Sequence, residues 1–177
     1  MIYLISDTHF NHKNIIEYEN RPFTDVAEMN TALMENWNNI VTDDDIVIHL
    51  GDIALGTESQ LKTLIPQLKG HKILIKGNHD TKSHHFYSDC GFEEVCGQKI
   101  LLVGDRIVFL SHRPESRPSD GENYDLHFFG HVHTKGEYPT VCSNGACLCV
   151  ERWNYKPVCL DTVLDLCAQS TEVEERI

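Results

Sequence analysis

Apolar runs that each end in a polar cluster organise the first half of the chain. Ile2–Ile5, Asp45–Leu50 and Lys72–Lys76 have the length and composition of buried strands. Asp25–Ile40, between the first two, carries apolar residues at helical spacing. A second helix opens at Thr57 and should end or kink near Ile65, because Pro66 lacks the amide hydrogen that a helix interior needs. This alternation of strand and helix predicts an α/β arrangement.

The second half of the chain is predicted to be mostly strand. The expected elements are Lys99–Val103, Arg106–Leu110, Leu126–Phe129, Val141–Cys142, Cys147–Val150 and a closing helix over Asp161–Cys167. The first two flank Gly104-Asp105, a two-residue loop that favours a β-hairpin. We therefore expect one domain over residues 1–177 of α/β class, a four-layer α/β/β/α sandwich with two mixed sheets packed face to face.

Composition and charge narrow the choice of partners. The 177 residues have the hydrophobic and charged fractions of an ordinary globular protein, but their formal net charge is −12. Because affinity for DNA rests largely on Lys and Arg neutralising phosphates, an extended nucleic acid is disfavoured as a partner, although solubility alone also accounts for the charge. Neither a signal peptide nor a run of 18 apolar residues is present, so we expect a cytoplasmic protein without membrane association. The oligomeric state is left open.

Seven cysteines are present, an odd number, without any C-x-x-C pair. Cys142, Cys147, Cys149 and Cys159 lie close in sequence and leave a structural zinc site as an alternative. In a cytosolic chain we favour reduced thiols that pack as small hydrophobic side chains.

Polar clusters at the ends of five apolar runs carry the candidate chemistry. Their potential metal ligands are Asp7, His9, Asp52, Asn78, His112, His131 and His133. Since ligand sites in open α/β sheets lie beyond the carboxyl ends of strands, these side chains should meet there despite their separation in sequence. Imidazole and carboxylate donors without a thiolate favour manganese, iron, zinc or nickel, and we expect manganese to support activity best in vitro.

Two of the clusters repeat a ligand at every second position. In an extended segment Asp7 and His9 would point to one side, and so would His131 and His133, because side chains alternate with a period of two. Asp52 has two carboxylate oxygens with which it can bridge two cations. Two metals about 3.5–4 Å apart clamp a phosphoryl group and generate a hydroxide nucleophile at neutral pH. The joint occurrence of these clusters at strand ends therefore favours two divalent metal ions.

The same motifs carry a family resemblance. In chain order they read D-x-H, G-D, G-N-H-D, a lone histidine after a strand, and G-H-x-H, spanning residues 7–133. As a set they resemble the calcineurin-like metallophosphoesterase superfamily. More narrowly, Ile5–Phe10 with His12–Asn14, and later Trp153–Pro157, are similar to small bacterial and phage phosphoesterases.

The resemblance implies a role for each ligand. Asp7, His9, Asp52 and His133 would hold the first metal, and Asp52, Asn78, His112 and His131 the second, with Asp52 bridging. His79 would bind no metal and would protonate the leaving oxygen, while a bridging hydroxide attacks phosphorus. A histidine near two cations resists protonation, so His79 needs an acid or a substrate oxygen nearby. His49, by contrast, is expected to be a buried and hydrogen-bonded structural residue.

The stretch after Asp52 departs from the family pattern. Many members carry a further Asp and Arg there, whereas this chain has Ile53–Gly56. The departure weakens the likeness to Ser/Thr protein phosphatases and requires another phosphate grip. Arg113 is our first candidate, because its guanidinium presents a fork of N–H donors. The next candidates are His12, Asn11 and Arg21, and for each of the four a surface or structural role is an equal alternative.

We therefore predict a metal-dependent phosphoesterase with His79, Asp52 and Arg113 as catalytic residues. Its expected substrate is a small phosphodiester such as a cyclic nucleotide, because a monoester dianion usually needs more cationic grip than the segment after Asp52 offers. A phosphomonoesterase is the first alternative, followed by a nuclease and a non-catalytic scaffold. Retention of the ligands and of His79 argues against the scaffold.

Overall fold

Ten strands and five α-helices make up the computed structural model, which describes residues 1–119, 121 and 123–174. The strands are β1 (Ile2–Ile5), β2 (Ile46–His49), β3 (His71–Ile75), β4 (Phe92–Cys96), β5 (Gln98–Val103), β6 (Arg106–Ser111), β7 (Leu126–Phe129), β8 (Val141–Cys142), β9 (Gly145–Cys147) and β10 (Val158–Cys159). The helices are α1 (Lys13–Tyr18), α2 (Val26–Asn38), α3 (Glu58–Leu64), α4 (His84–Asp89) and α5 (Leu160–Glu174).

The strands form two five-stranded sheets. Sheet 1 has the order β10-β1-β2-β3-β4, in which β1 to β4 are parallel and β10 pairs with β1 antiparallel. Sheet 2 has the order β5-β6-β7-β9-β8, in which β6, β7 and β9 are parallel while β5 and β8 are antiparallel to their neighbours. Both sheets are mixed, and they pack against each other through a common core of buried apolar residues. The predicted fold class is therefore confirmed.

Helices α1 to α4 pack on the outer face of sheet 1. Helix α2 begins after Asp25, whose carboxylate accepts a hydrogen bond from Glu28 N at 2.8 Å and so satisfies one of the free amides of the first turn. Met29, Leu33 and Trp37 form its buried stripe and pack with residues of β1, β2 and β3. Burial of each such side chain contributes about 1.5–3 kcal/mol to the free energy of folding. This packing holds α2 against sheet 1, and the polar clusters lie at the ends of the strands of that sheet.

A second core fills the space between the sheets. Leu4, Ile48 and Ile75 alternate with the residues that face the helices and point toward sheet 2. From sheet 2 they meet Val108, Leu110, Leu126, Phe128 and Ala146. Helix α5 packs chiefly against β8 and also against β9, β1 and β10, and its buried residues close this core. The two cores fix the sheets relative to each other, so that strand ends of both sheets lie at one edge of the molecule.

Some boundaries differ from those predicted. The predicted strand Cys147–Val150 is wrong, because β9 ends at Cys147 and Val150–Trp153 is a 3-10 helix. Strand β4 was not predicted, because Glu93 and Glu94 interrupt its apolar pattern at an exposed edge of sheet 1. Helix α3 does end before Pro66, which lies in a 3-10 turn at Ile65–Gln67. The error at Cys147–Val150 lies beside the first ligand cluster, whereas β4 lies at the edge of sheet 1.

The seven cysteines are free, as predicted. Within the described residues, side chains that could hold a metal form two groups, and neither contains a cysteine. The alternative of a structural zinc among Cys142, Cys147, Cys149 and Cys159 is therefore not supported. In the same part of the chain, no helix combines the length and apolar character needed to cross a membrane.

Candidate metal centre

The loops that follow β1, β2, β3, β6 and β7 meet at one edge of the molecule. The first two pair through their backbones, since Asp7 N donates to Gly51 O and His9 N donates to Asp52 O, each at 3.0 Å. The last loop joins the first through His131 N, which donates to Asp7 Oδ2 at 2.8 Å. Side chains that are 124 residues apart in sequence thus share one site.

Five of the predicted ligands have a left-handed backbone. Their φ values are 59° at Asp7, 51° at His9, 58° at Asp52, 71° at His131 and 46° at His133. The prediction that each pair points to one side of an extended segment is therefore wrong, because these residues lie in tight turns beyond the strands. Such conformations cost about 1–3 kcal/mol each for a residue other than glycine and cluster at functional sites. Here they turn the donor atoms toward a common point.

Two glycines allow the ligand loops to approach each other. Gly51 has a φ of +100°, and a Cβ there would lie 2.6 Å from His112 Nδ1. At Gly77 a Cβ would collide with the carboxylate of Asp52. Glycine is required at both positions because only a backbone without a side chain leaves room for the neighbouring ligand.

The first ligand group consists of Asp7, His9 and His133, whose donor atoms lie within 4.8 Å of one another. Asp7 Oδ1 lies 3.6 Å from His133 Nε2 and 3.9 Å from His9 Nε2. Asp7 is 0% exposed and His9 is 1% exposed, yet Asp7 Oδ1 and His9 Nε2 have no hydrogen-bond partner. Buried polar atoms without partners are costly, and a divalent cation between them would satisfy both. The residues present therefore fit a metal.

The second ligand group consists of Asp52, His112 and His131. Asp52 Oδ2 lies 3.4 Å from His112 Nε2 and 3.6 Å from His9 Nε2, so this carboxylate stands between the two groups. Asn78 Oδ1 lies 3.1 Å from His112 Nε2 and adds a neutral oxygen to the second group. The structure thus brings the seven predicted ligands together, while metal binding by each of them stays a prediction.

Hydrogen bonds and burial prepare the histidines as ligands. His112 Nδ1 faces Leu50 O at 2.8 Å, and because a carbonyl oxygen only accepts, this nitrogen carries the proton and Nε2 is directed to the site. Burial lowers the pKa of His9 to about 2 and that of His131 to about 4, which keeps both neutral. Burial also lowers the pKa of His112, but the carboxylates of Asp52 and Asp7 outweigh it and raise that pKa to about 9. The carboxylates of Asp52 and Asp7 thus favour a positive charge between the two ligand groups, whether a proton on His112 or a cation.

Arg21 supports the first ligand loop from behind. Its guanidinium is buried and donates to Thr8 O at 2.8 Å and to Asp7 O at 2.7 Å. It also pairs with Glu151 at 2.6 Å, and Glu151 accepts from His133 Nδ1 at 3.0 Å. The structural alternative for Arg21 is thereby observed, and its guanidinium does not face the cleft. Sequence reasoning missed Glu151, although a carboxylate directly after the apolar run Cys147–Val150 was a usable signal.

Two further residues, Asp80 and Cys149, connect the loops. Asp80 Oδ2 accepts from Asp52 N at 2.7 Å and from Gly77 N at 2.8 Å, which joins the second loop to the third. Cys149 Sγ lies 3.3 Å from Asp7 Oδ2 and accepts from His133 N at 3.2 Å. Both residues form hydrogen bonds with candidate ligands or their loops. Asp80 closes the G-N-H-D motif, which was a usable signal, whereas nothing in the local sequence of Cys149 indicated its role.

His79 lies at the mouth of the site. It is exposed, and its backbone N donates to Asp52 Oδ1 at 2.8 Å. The centroid of its ring lies 5.3 Å from that of His9 and 6.0 Å from that of His12. We expected either an acid or a substrate oxygen as the partner of the His79 ring. Among the described residues no carboxylate hydrogen-bonds to this ring, so a substrate oxygen is the partner that the structure leaves room for.

The remaining phosphate-grip candidates divide by position. Arg113, with a side chain 44% exposed, donates to Asn78 Oδ1 at 3.3 Å and pairs with Glu115 at 3.3 Å, so it stands at the rim of the second ligand group. Asn11 instead exchanges hydrogen bonds with Asn30 and has a structural role. His12 lines the cleft over the first group.

Comparison with known proteins gives the fold and the motifs a family context. Residues 1–150 match the sequence model of the calcineurin-like phosphoesterase superfamily domain. An uncharacterized protein of Methanocaldococcus jannaschii, MJ1445, is 42% identical over 172 residues, which are 93% of this chain and 90% of that protein. The gene 66 protein of Mycobacterium phage L5 is 42% identical over 78 residues, 42% of this chain and 37% of its own length.

One solved structure shares the fold over nearly the whole chain. It is the protein of unknown function AQ665 from Aquifex aeolicus, with a TM-score of 0.72 and 26% sequence identity. The match covers 94% of this chain and 98% of that one. The two sheets and their helices are therefore the shared scaffold of both proteins.

Proposed function

The chain belongs to the calcineurin-like phosphoesterase superfamily, and on that premise we propose that it is a phosphodiesterase that hydrolyses small phosphodiesters with two divalent cations. The superfamily consists chiefly of metal-dependent hydrolases of phosphoric esters, which gives the reaction class. The substrate and the number of metals are the parts proposed here.

The observation that carries this proposal is the position of Asp52 between two ligand groups. Its Oδ2 lies 3.4 Å from a nitrogen of the second group and 3.6 Å from a nitrogen of the first. One carboxylate that serves both groups is what a pair of adjacent cations requires. Two divalent cations, when bound, supply Lewis-acid charge and a hydroxide nucleophile at neutral pH.

The chain's own residues then divide the remaining work. His79, exposed at the mouth of the site, donates a proton to the leaving oxygen. Arg113 and Asn78, on the side of the second group, orient a non-bridging oxygen of the phosphoryl group through their N–H donors. Glu151 and Arg21 hold the first ligand loop in place from the protein interior. Manganese is the metal we expect to support turnover best.

The distribution of cationic groups supports a diester. Arg21 is withdrawn to the protein interior, where it pairs with Glu151. Arg113 is partly occupied by Glu115 at 3.3 Å. A monoester dianion places one more negative charge beside Asp7 and Asp52 than a diester does. Beside the metals, the side chains that could offset it are Lys135, Arg113 and Lys76, whose Nζ already donates to Lys82 O. The net charge of −12 supports a small substrate over an extended nucleic acid.

The test is hydrolysis of bis(p-nitrophenyl) phosphate and of p-nitrophenyl phosphate by metal-free protein to which manganese is added back. We expect turnover that a chelator abolishes and a higher kcat/KM for the diester. Asp52→Asn serves as the control against a contaminating phosphatase, since it should remove the activity. A higher kcat/KM for the monoester would replace the diester by its alternative, and absence of metal-dependent turnover on both would contradict the proposal.

A further inference from the structure

One wall of the cleft over the first ligand group contains no predicted metal ligand. It is formed by His12, Ile15 and Tyr18, and we call it the α1 wall because it follows helix α1. The cleft has a volume of about 370 Å³, within the range of small-molecule sites. His9, Asp52 and His79 also line the cleft. A group attached to the reacting phosphoryl therefore has room to lie against α1.

The outer part of the α1 wall is an exposed aromatic ring. Tyr18 is 65% exposed although it stands at the end of a helix that is anchored by the buried Ile15, 4% exposed. Its ring meets that of His12 edge to face, at 6.3 Å between centroids and an interplanar angle of 82°. An exposed aromatic face beside a polar cleft offers a surface on which a flat ring can stack.

The inner part of the wall is held by the first ligand group. His12 Nδ1 lies 3.2 Å from His9 Nδ1. When His9 gives the lone pair of Nε2 to a metal, its Nδ1 carries the proton and donates it in a hydrogen bond to His12 Nδ1. The His12 ring is thus fixed in position before substrate arrives, with its centroid 6.0 Å from that of His79.

The position of His79 decides which half of a diester lies on this wall. His79 is the proposed donor to the leaving oxygen, and its ring stands beside His9 and His12. A second recess, of about 250 Å³ beside the second group, is lined by Lys76, Asn78, His112 and Arg113, and no Phe, Tyr or Trp is among its lining residues. Charged side chains line both clefts, Lys135 and Glu19 in the first and Lys76 and Arg113 in the second. The two halves differ in the exposed phenol ring of Tyr18, which has no counterpart among the residues that line the second cleft.

We propose that the α1 wall is the leaving-group subsite and that it selects diesters whose leaving oxygen carries a flat aromatic group, a nucleobase on its sugar or an aryl ring. Tyr18 stacks on that group, and His12 forms the floor beside the leaving oxygen. The inference rests on the proposed function, since it assigns one side of a phosphodiester to one side of the cleft. It adds a class of substrate and two residues that determine specificity.

The experiment compares two diesters that differ only in the base. One is the methyl ester of thymidine 5′-phosphate, and the other is the methyl phosphate of 1,2-dideoxyribose, which has the same 5′ leaving oxygen and no base. With the manganese-loaded enzyme we expect kcat/KM to be about tenfold higher for the base-bearing diester, at the lower end of the effect of stacking one base on an aromatic ring. Thymidine, rather than methanol, should be the alcohol released.

Variants assign the preference to the wall. In Tyr18→Ala the ratio of kcat/KM between the two diesters should fall to about one, whereas Tyr18→Phe should keep it, because phenylalanine retains the ring. Leu102→Ala removes another exposed apolar side chain, on β5, and should leave both rates as they are. A ratio that is near one in the unmodified enzyme, or that persists in Tyr18→Ala, would overturn the subsite, and so would release of methanol.

Equilibrium binding separates the subsite from the activity. The phosphonates in which a methylene replaces the scissile oxygen of the two diesters are titrated into the manganese-loaded protein by calorimetry. Tighter binding of the base-bearing phosphonate that is lost in Tyr18→Ala would support the subsite even if neither diester were hydrolysed, in which case the proposed function alone fails. Turnover of both diesters with equal binding of both phosphonates would overturn the subsite alone.

Discussion

Glu151 Oε1 accepts a hydrogen bond from His133 Nδ1 at 3.0 Å, and this contact directs His133 Nε2 toward Asp7, 3.6 Å away. Burial raises the pKa of Glu151, but the hydrogen bond from His133 and the charge of Arg21 outweigh it and lower that pKa below its usual value, so the carboxylate is charged. A carboxylate behind a ligand histidine fixes the orientation of the ring and makes the facing nitrogen a better donor. Glu151 thus orients His133 of the first ligand group without being a member of that group.

Glu151→Gln should weaken metal binding at the first group and spare the second. Loss of such an outer carboxylate typically costs about 10- to 100-fold in metal affinity, and here it also leaves Arg21 with a buried and unpaired charge. Manganese titration followed by electron paramagnetic resonance resolves the two sites. Glu17→Gln, an exposed change on α1, is the matched control. Equal weakening of both sites, or no weakening, would show that Glu151 does not orient His133.

Asp52→Asn should weaken both metals together. The substitution replaces one charged oxygen by an amide nitrogen that cannot accept a metal, at a position 3.6 Å from His9 Nε2 and 3.4 Å from His112 Nε2. Elemental analysis after dialysis against a fixed manganese concentration measures the stoichiometry. Asp7→Asn is the comparison, because Asp7 belongs to the first group only and its loss should spare the second metal. Loss of one metal in Asp52→Asn would count against bridging.

The strand positions and the meeting of the candidate ligands were predictable because their signals are local. Ile2–Ile5 was predicted with the bounds that β1 has, and the ligands follow such runs directly. Parallel pairing of β2 with β1 on one side and with β3 on the other then brings Asp7, Asp52 and Asn78 to one edge without further information. The buried role predicted for His49 is also confirmed, since it is 0% exposed.

The supporting contacts were not predictable because they depend on the left-handed turns and on distant segments. Cys149 reaches Asp7 across 142 residues, and Glu151 reaches Arg21 across 130. No hydrophobic period or motif encodes such contacts. Strand β4 was missed for a different reason, since an edge strand with two glutamates loses the apolar pattern of a buried one. Sequence patterns thus predict the candidate ligands but not the contacts that hold them in place.

His79→Gln should retain both metals and lose activity on poor leaving groups. The His79 ring belongs to neither group of possible metal ligands among the described residues, and its backbone N, which the substitution keeps, donates to Asp52 Oδ1. Removal of a general acid typically costs about 10²- to 10⁴-fold, and the loss should shrink for p-nitrophenol, which leaves without a proton. Rates on alkyl and nitrophenyl diesters, each with metal content, make the comparison. Loss of metal in this variant would instead make His79 a ligand.

His49 should make the metal-free protein sensitive to acid. It lies between Thr8 Oγ1, 3.0 Å from Nε2, and Gly51 N, which donates to Nδ1 at 3.2 Å, and burial lowers its pKa from 6.5 to about 3. Below pH 6.5 the unfolded chain therefore binds a proton at His49 that the folded chain does not bind. The contribution of neutral His49 to the free energy of unfolding is fully present above pH 6.5 and is lost as the pH falls toward 3. The loss is about 1 kcal/mol between pH 7 and pH 5.5.

Urea unfolding with a chelator present, in wild type and His49→Asn, measures this loss of stability. The variant is less stable at pH 7 but should show a shallower loss with acid, whereas exposed His84→Gln should follow wild type; equal slopes in all three would show that His49 is protonated in the folded state.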